Sequence, residues 1–296
     1  ASPYIGIGAP SVLYCVKSNF HMRGIVGIML FYVYLLLALA AVVCFGLFAP
    51  GPKLWMLPLI FLGTLGVFLL LHALVLCIAS LFAGRKEQLE EGIAFYKKLM
   101  LCSISAFLAL GRVRCTLEGE EKLPKKGGFL LVCNHLSMFD PMAAMALLRK
   151  KGLVFITKKE NISIPVGGPL IAAMGCPVLD RGDSRMAVRL MQQVARRMSA
   201  GEAIGVYPEG TRSKTGLLGD FKPGAFKCAL WGKVPVVVAV IEGSEQVHKR
   251  FFFRSTHIRM RILEVLPYET LRTMDTGAIS RHARAIMIEE GGLHAA

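Results

Sequence analysis

Two long uncharged stretches near the beginning of the chain constrain its fold more than any other feature. Residues 24–48 and 54–83 contain no Asp, Glu, Lys or Arg. A helix needs about 20 apolar residues to cross a bilayer core, and each stretch is longer. Each also exceeds the apolar core of about 7–15 residues in a signal peptide, so we expect a retained helical hairpin. A pair of buried or shallow interfacial helices is the alternative, because Pro58 and His72 interrupt the second stretch.

Basic residues flank the two stretches unevenly, which predicts an orientation. Lys17 and Arg23 precede the first stretch, Arg85 and Lys86 follow the second, and Lys53 lies between them. The positive-inside rule then places both ends of the hairpin, and the rest of the chain, in the cytoplasm. No transit peptide or retention signal is evident, so we expect a bacterial inner (plasma) membrane.

The net charge of +15 over 296 residues suits anionic headgroups, phosphates or nucleic acid. Nucleic acid is disfavoured as a partner, because no helix-turn-helix, RRM or zinc-finger pattern occurs and membrane lipids give the charge a simpler partner. The eight cysteines form no CxxC pair, and several lie in apolar runs. This pattern fits neither a disulfide framework nor a zinc site.

The remaining chain changes in texture at about Arg112. Residues 87–111 carry acids and lysines first and apolar residues later, which predicts an amphipathic connecting helix near the membrane surface. Beyond it, β-rich segments alternate with helical ones, which is typical of an α/β fold. The predicted organisation is a membrane hairpin in 1–86 (helices at about 24–48 and 54–83), the connecting helix in 87–111 and one domain in 112–296. The predicted strands are RVRCTLEG, GFLLVC, LVFITK, PVLDR, AIGVY, VPVVVAVI and HIRMRILEVL.

The first chemically suggestive motif is NHLSMFD, at residues 134–140, directly after the apolar strand GFLLVC. Active residues of α/β sheets often follow strands in this way. Asp140 is expected in the first turn of the next helix, where its carboxylate can reach one ring nitrogen of His135 and orient the ring. The other nitrogen could then remove a proton from an alcohol that attacks a thioester. The alternative is a His-Asp pair that merely caps a helix.

The second motif, PEGTRS at residues 208–213, has an anion-binding composition. Gly210 permits close backbone approach, Thr211 offers a hydroxyl, and Arg212 presents a planar fork suited to phosphate oxygens. Glu209 repels phosphate, so its predicted task is to hold Arg212 or a glycerol hydroxyl; a plain surface acid is the alternative. The stabiliser of an oxyanion is left open between backbone N–H groups of the His135 turn and those of the Gly210 loop.

These motifs, in this order, resemble the 1-acylglycerol-3-phosphate acyltransferases of the wider glycerolipid acyltransferase group. NHLSMFD corresponds to the family's first block, PVLDR to the second, YPEGTRS to the third and VPVVVAVI to the fourth. The resemblance covers about residues 112–267. It does not extend to the uncharged N-terminal stretches, which not all members share.

The resemblance implies a mixed central sheet flanked by helices, with His135 as general base and Asp140 as its orienting partner. It also implies transfer of a fatty acyl group from an acyl thioester to the sn-2 hydroxyl of lysophosphatidic acid, giving phosphatidic acid. Its expected partners are lysophosphatidic acid, acyl-CoA or acyl-carrier protein as donor substrate, and membrane lipids; no cofactor and no metal are expected. The implied acceptor-binding residues are Arg181, Glu209, Gly210, Thr211 and Arg212.

Several alternatives remain open from the residues themselves. The acceptor could be another lysolipid, such as a lyso-ornithine lipid or a lysophospholipid, or glycerol 3-phosphate. A non-catalytic lipid-binding protein and a metal-dependent hydrolase are rival classes, which the combined motifs and the lack of further ligands near His135 disfavour. Arg181 could pair with Asp180 or Asp183 instead of phosphate. Lys158 and Lys159 could contact the acceptor's phosphate or the pyrophosphate of a donor coenzyme, or form a solvated charge pair.

Overall fold

The computed structural model of the protein describes residues 25–48, 51, 54–83, 92–251 and 253–296. The five basic residues that predict the orientation of the hairpin lie outside these ranges. The acids at the beginning of the predicted connecting helix, Glu87, Glu90 and Glu91, also lie outside them.

Two apolar helices form the predicted hairpin. Helix α1 (Ile25–Phe48) packs against α2 (Met56–Ala83), where the ring of Tyr34 stacks on Phe68 with centroids 5.4 Å apart. Among the described residues, α2 is the helix long and apolar enough to cross a membrane, and Tyr32–Phe48 forms a shorter apolar stretch. Many large apolar side chains on both helices face outward; Phe48 and Phe82 are each 82% exposed. Such a surface is suited to lipid.

Helix α3 (Ala94–Leu110) joins the hairpin to the rest of the fold. Its Ser103 hydroxyl lies 3.1 Å from His72 Nε2 of α2, and its Tyr96 hydroxyl donates to the Ala79 carbonyl at 3.2 Å. The helix lies within the segment predicted as a connecting helix. It also packs on two helices of the following fold, Phe139–Leu147 and Gly167–Ala173, and on the strand Val113–Glu118. The assignment of separate domains stays a prediction.

A six-stranded sheet in the order β1-β8-β7-β2-β6-β3 forms the centre of the fold. All pairs are parallel except β7 with β8, so the predicted α/β fold with a mixed sheet is confirmed. Every residue of β2 is buried, as expected for a central strand covered on both faces. The segment LVFITK divides, because β3 joins this sheet while β4 pairs with β5. The strands are β1 Val113–Glu118, β2 Phe129–Cys133, β3 Val154–Phe155, β4 Thr157–Lys158, β5 Val178–Leu179, β6 Ala203–Val206, β7 Val236–Glu242 and β8 Thr256–Leu266.

Helices flank the sheet, and α7 (Ser184–Ser199) shows how local sequence sets their bounds. The Asp183 side chain accepts from the N–H groups of Arg185 and Met186 at 2.9 and 3.0 Å, which satisfies two free donors at the beginning of the helix. The apolar face predicted for this helix is buried. The other helices are α4 Phe139–Leu147, α5 Lys159–Ile162, α6 Gly167–Ala173, α8 Lys227–Gly232, α9 Val247–Arg250, α10 Tyr268–Leu271 and α11 Thr276–Glu289.

Candidate active site

The site begins where β2 ends, between two parallel neighbours. Asn134 follows the strand and is almost fully buried. Its side-chain amide donates to the Ile241 carbonyl at 3.0 Å, and its side-chain oxygen accepts from the Ile241 N–H at 2.8 Å. The amide thus makes the hydrogen bonds to β7 that a further ladder residue would make. Asn134 therefore fixes the direction in which the chain leaves the sheet.

His135 and Asp140 lie in hydrogen-bond contact, as the spacing of the first motif predicts. The distance from His135 Nδ1 to Asp140 Oδ2 is 2.8 Å. The imidazole is 17% exposed and the carboxylate is 0% exposed, so one partner is reachable from solvent and the other is not. His135 Nε2 makes no hydrogen bond to the residues that the structure describes. This nitrogen is free to exchange a proton with a substrate.

The Asp140 carboxylate is held by the turn that carries His135. Besides the imidazole, Oδ2 accepts from the N–H groups of Leu136 and Ser137, each at 2.7 Å. Three donors on one oxygen fix the carboxylate and, through it, the ring. Oδ1 is buried without a partner in the described part of the chain. The pair therefore does more than cap a helix, because the carboxylate's single well-bonded oxygen also orients the histidine.

Two aromatic rings stack under the imidazole. Tyr207, directly after β6, lies parallel to His135 with ring centroids 4.0 Å apart, and Phe155 of β3 stacks on Tyr207 at 4.9 Å. Gly205 makes room, since a Cβ there would come within 2.4 Å of the Phe155 ring. Burial, and secondarily the nearby Asp140 charge, raise the pKa of Tyr207 well above its usual value, so the phenol stays neutral. No pattern in the sequence indicated that Tyr207 stacks under His135.

The second motif holds both backbone groups of His135. The Glu209 carboxylate accepts from the His135 N–H at 3.0 Å and from the Gly219 N–H at 2.9 Å, and the Ser213 N–H donates to the His135 carbonyl at 2.8 Å. Glu209 thus connects the two motif loops, and among the described residues it makes no hydrogen bond or ion pair with Arg212. The residue types of the two motifs did not indicate that Glu209 would accept from the His135 N–H.

Gly210 and Arg181 shape the same loop. The Gly210 N–H donates to the Tyr207 carbonyl at 3.0 Å, closing a tight turn, and its φ of +77° favours glycine. The exposed Arg181 side chain donates to the Gly210 carbonyl. Asp180, one of its two possible acidic partners, pairs with Lys159 at 2.9 Å. Arg181 and Gly210 therefore set the loop's shape next to the residues that line the cleft.

An open cleft of about 430 Å³ lies between the two motifs. We call it the cationic cleft, because its lining combines His135 with three cations and no acid. Of the predicted site residues, His135, Thr211 and Arg212 line it, while Arg181, Glu209 and Gly210 do not. Lys158 is a lining residue that the prediction left undecided. The lining is His135, Leu136, Lys158, Thr211, Arg212, Ser213 and Lys214.

The two loops differ in the backbone donors they leave for an oxyanion. The N–H groups of His135, Leu136 and Ser137 are all engaged by the carboxylates of Glu209 and Asp140. In the second loop, the N–H groups of Thr211 and Arg212 donate to no other described residue. In the His135 turn, the Met138 N–H likewise donates to no described residue, so both predicted sources of an oxyanion donor retain unused N–H groups.

The described residues offer no clustered set of metal ligands. They contain no group of three or more His, Cys, Asp or Glu side chains that could hold a metal ion. His135 and Asp140 are bonded to each other, and Asp140 Oδ2 also accepts from two backbone N–H groups.

Comparisons with known proteins point to an acyltransferase family. A family model described as Acyltransferase matches residues 114–242, which contain both motifs. A probable 1-acyl-sn-glycerol-3-phosphate acyltransferase of Mycoplasma pneumoniae is 32% identical over 194 residues, covering 62% of this chain and 71% of that protein. The chain belongs to the 1-acyl-sn-glycerol-3-phosphate acyltransferase family.

Coverage and identity differ among the other matches. The 1-acyl-sn-glycerol-3-phosphate acyltransferase of Cocos nucifera is 32% identical over 161 residues, and this chain spans only 50% of its length. The crystal structure of the 1-acyl-sn-glycerophosphate (LPA) acyltransferase PlsC from Thermotoga maritima matches at 20% identity with a TM-score of 0.46, covering 89% of this chain and 97% of that one. Membership of the family leaves the activity of the whole protein to be argued from the site.

Proposed function

We propose that this protein transfers a fatty acyl group from an acyl thioester to the sn-2 hydroxyl of 1-acylglycerol 3-phosphate, giving phosphatidic acid. The observation that carries the proposal is the buried Asp140 carboxylate bonded to Nδ1 of His135, with Nε2 unbonded beside a cleft of three cations. A base next to an anion-binding cleft suits an acceptor that carries both a hydroxyl and a phosphate.

In the proposed reaction, His135 Nε2 takes the proton of the acceptor hydroxyl as its oxygen attacks the thioester carbonyl. The tetrahedral intermediate collapses with cleavage of the C–S bond, and the imidazolium returns the proton to the departing sulfur, giving a free thiol. Asp140 stabilises the imidazolium between these steps. The free N–H groups of Thr211 and Arg212 are the proposed donors to the oxyanion.

The acceptor's phosphate would bind in the cationic cleft. Arg212, Lys158 and Lys214 supply charge, while Thr211 and Ser213 supply hydroxyls. Glu209, Gly210 and Arg181 would act on the acceptor through the loop that they shape. Since phosphate is a dianion near neutral pH, several cations and no acid in the lining favour it over a zwitterionic headgroup.

The hairpin supports the choice of a lipid acceptor. Helices α1 and α2 expose long apolar faces, and we propose that they anchor the chain in a bacterial inner membrane with the sheet on the cytoplasmic side. Acceptor and product both reside in the bilayer, so an anchored site searches a surface rather than a volume. Acyl-CoA or acyl-carrier protein in the cytoplasm would supply the acyl group.

The direct test is thiol release from oleoyl-CoA by the purified protein in detergent. Lysophosphatidic acid, lysophosphatidylcholine and glycerol 3-phosphate are compared as acceptors, with acyl-carrier protein as a second donor. We expect thiol release when lysophosphatidic acid is the acceptor, and none with lysophosphatidylcholine or glycerol 3-phosphate. Turnover with lysophosphatidylcholine but not with lysophosphatidic acid would contradict a phosphate-bearing acceptor, and no turnover with either donor would contradict the proposed function.

Replacing Arg212 by alanine is expected to raise the KM for lysophosphatidic acid about 10- to 100-fold, with a smaller rise in the donor's KM. Its guanidinium lines the cationic cleft and makes no hydrogen bond to a described residue, so its donors are available to phosphate. Steady-state kinetics with each substrate varied in turn measure the effect. Arg185→Ala, which removes an exposed arginine on α7 outside the cleft, is the matched control. An equal rise in both KM values would refute the assignment.

Replacing Cys133 by alanine is expected to leave the transfer rate within about twofold. Cys133 immediately precedes the first motif, but its thiol is fully buried, and burial together with the Asp140 charge raises its pKa, so no thiolate forms near neutral pH. Mass spectrometry of the wild-type protein mixed with donor alone should show no acylated residue. An acyl adduct on Cys133 would overturn direct transfer.

A further inference from the structure

A second cleft lies on the other side of the catalytic turn. It has a volume of about 230 Å³ and adjoins the cationic cleft, because Leu136 and Arg212 line both. We call it the β7 cleft, since part of its wall follows β7. Its lining is Leu136, Ser137, Met138, Phe139, Arg212, Glu245 and His248.

The sheet explains why the two clefts flank His135. Strand β2, which ends at the catalytic turn, pairs in parallel with β6 on one side and with β7 on the other. All three strands therefore end at the same edge of the sheet. The chain after β6 forms the cationic cleft, and the chain after β7 brings Glu245 and His248 to the opposite side of the turn.

Glu245 is an unusual residue for this position. It follows β7 in a short 3-10 turn, and its Oε2 is buried without a hydrogen-bond partner in the described part of the chain. A buried acceptor without a donor is costly, so its presence calls for an explanation. The rest of the wall is apolar at Leu136, Met138 and Phe139 and polar or basic at Ser137, Arg212 and His248. The cleft thus combines an apolar surface and hydrogen-bond donors with one carboxylate acceptor.

We propose that the β7 cleft binds the pantetheine arm of the acyl donor, with Glu245 accepting a hydrogen bond from an amide N–H or hydroxyl of the arm. This inference rests on the proposed function and adds the position of the second substrate. The arm is an aliphatic chain with amides and hydroxyl, which matches the mixed lining. Coenzyme A and acyl-carrier protein share it, so the cleft accepts the chemistry common to both.

The charges of the two clefts assign the two substrates to different sides. The phosphate of the acceptor is favoured in the cationic cleft, which has three cations and no acid, over the β7 cleft, where Arg212 is accompanied by the acid Glu245. A saturated acyl chain has no donor for Glu245. A donor arm bound in the β7 cleft would bring its thioester to the catalytic turn from the side opposite the phosphate, as transfer between two substrates requires.

The first experiment measures binding without turnover. S-hexadecyl pantetheine, a thioether that carries the arm without a nucleotide, is titrated by calorimetry into the detergent-purified full chain. Glu245→Met is expected to weaken binding about tenfold or more, and Glu245→Gln, which keeps an acceptor oxygen, less. Glu242→Gln is the matched control, because Glu242 lies three residues earlier and pairs with Arg261. Unchanged binding by Glu245→Met would overturn the inference.

Kinetics then identify the source of the arm and separate this inference from the proposed function. With Glu245→Met, the KM values for oleoyl-CoA and oleoyl-acyl-carrier protein should rise by similar factors, while that for lysophosphatidic acid stays constant; the donor with the lower wild-type KM is the preferred source. A rise in the acceptor's KM alone would overturn the inference. Glu245-dependent binding of the thioether without acyl transfer would uphold the cleft and reject the proposed function. If Glu245→Met does not fold, Glu245→Gln carries the same comparison.

Discussion

Replacing His135 by alanine is expected to reduce acyl transfer about a hundred- to ten-thousandfold while the protein stays folded. The change removes the group proposed to take the hydroxyl proton, and a general base contributes about 10²–10⁴-fold. The backbone hydrogen bonds of His135 to Glu209 and Ser213 do not involve its side chain, so the two loops should keep their positions. Thiol release from oleoyl-CoA with lysophosphatidic acid measures the loss, and the thermal unfolding midpoint checks the fold.

His257→Ala is the matched control for that experiment. His257 is exposed on β8, where its Nε2 lies 2.9 Å from the Thr116 hydroxyl and outside both clefts. We expect its removal to leave the transfer rate within about twofold. Full activity of the His135→Ala protein would refute the proposed base. Loss of activity together with a collapsed unfolding midpoint would instead attribute the effect to stability.

Much of the fold was accessible from hydrophobic patterns. Buried strands such as FLLVC appear as continuous apolar runs because neighbouring elements cover both faces. The beginning of the helix after Asp183 was predictable because Asp183 is a residue type that caps helices, and its side chain does so. The division of LVFITK between two sheets could not be predicted from the sequence. Its two halves have the same strand-forming residue types, and only tertiary pairing distinguishes them.

The candidate site was predictable where the spacing of residues fixes geometry and less so where backbone contacts decide. The spacing of five positions from His135 to Asp140 suffices to place a carboxylate beside the ring, and the structure brings the two side chains to 2.8 Å. The contact of Glu209 with the His135 N–H joins segments that are 74 residues apart, so no local pattern indicates it. Glu245 was missed for the same reason, because strand order alone brings it to the catalytic turn.

The second large effect is expected at Asp140, where two substitutions should differ. Asp140→Ala removes the acceptor for His135 Nδ1 and for the N–H groups of Leu136 and Ser137. The two N–H groups are poorly solvated and then lack that hydrogen bond, which costs stability. We expect kcat to fall about a thousandfold with little change in either KM, and the unfolding midpoint to drop. The imidazole loses its fixed orientation and the imidazolium loses its stabilising negative charge. Both losses affect the reaction step rather than substrate binding.

Asp140→Asn should lose less, about a hundredfold in kcat, because the turn dictates how the amide is placed. The two N–H groups that donate to Oδ2 require the amide oxygen at that position, so the oxygen still accepts from His135 Nδ1 and the NH₂ group occupies the unbonded Oδ1 position. The tautomer is then preserved and only the negative charge is lost. Nitrogen-15 NMR of the imidazole should show the proton on Nδ1 in both wild type and Asp140→Asn. A proton on Nε2 in the variant, or a kcat as low as that of Asp140→Ala, would mean that the backbone donors do not fix the carboxylate's orientation.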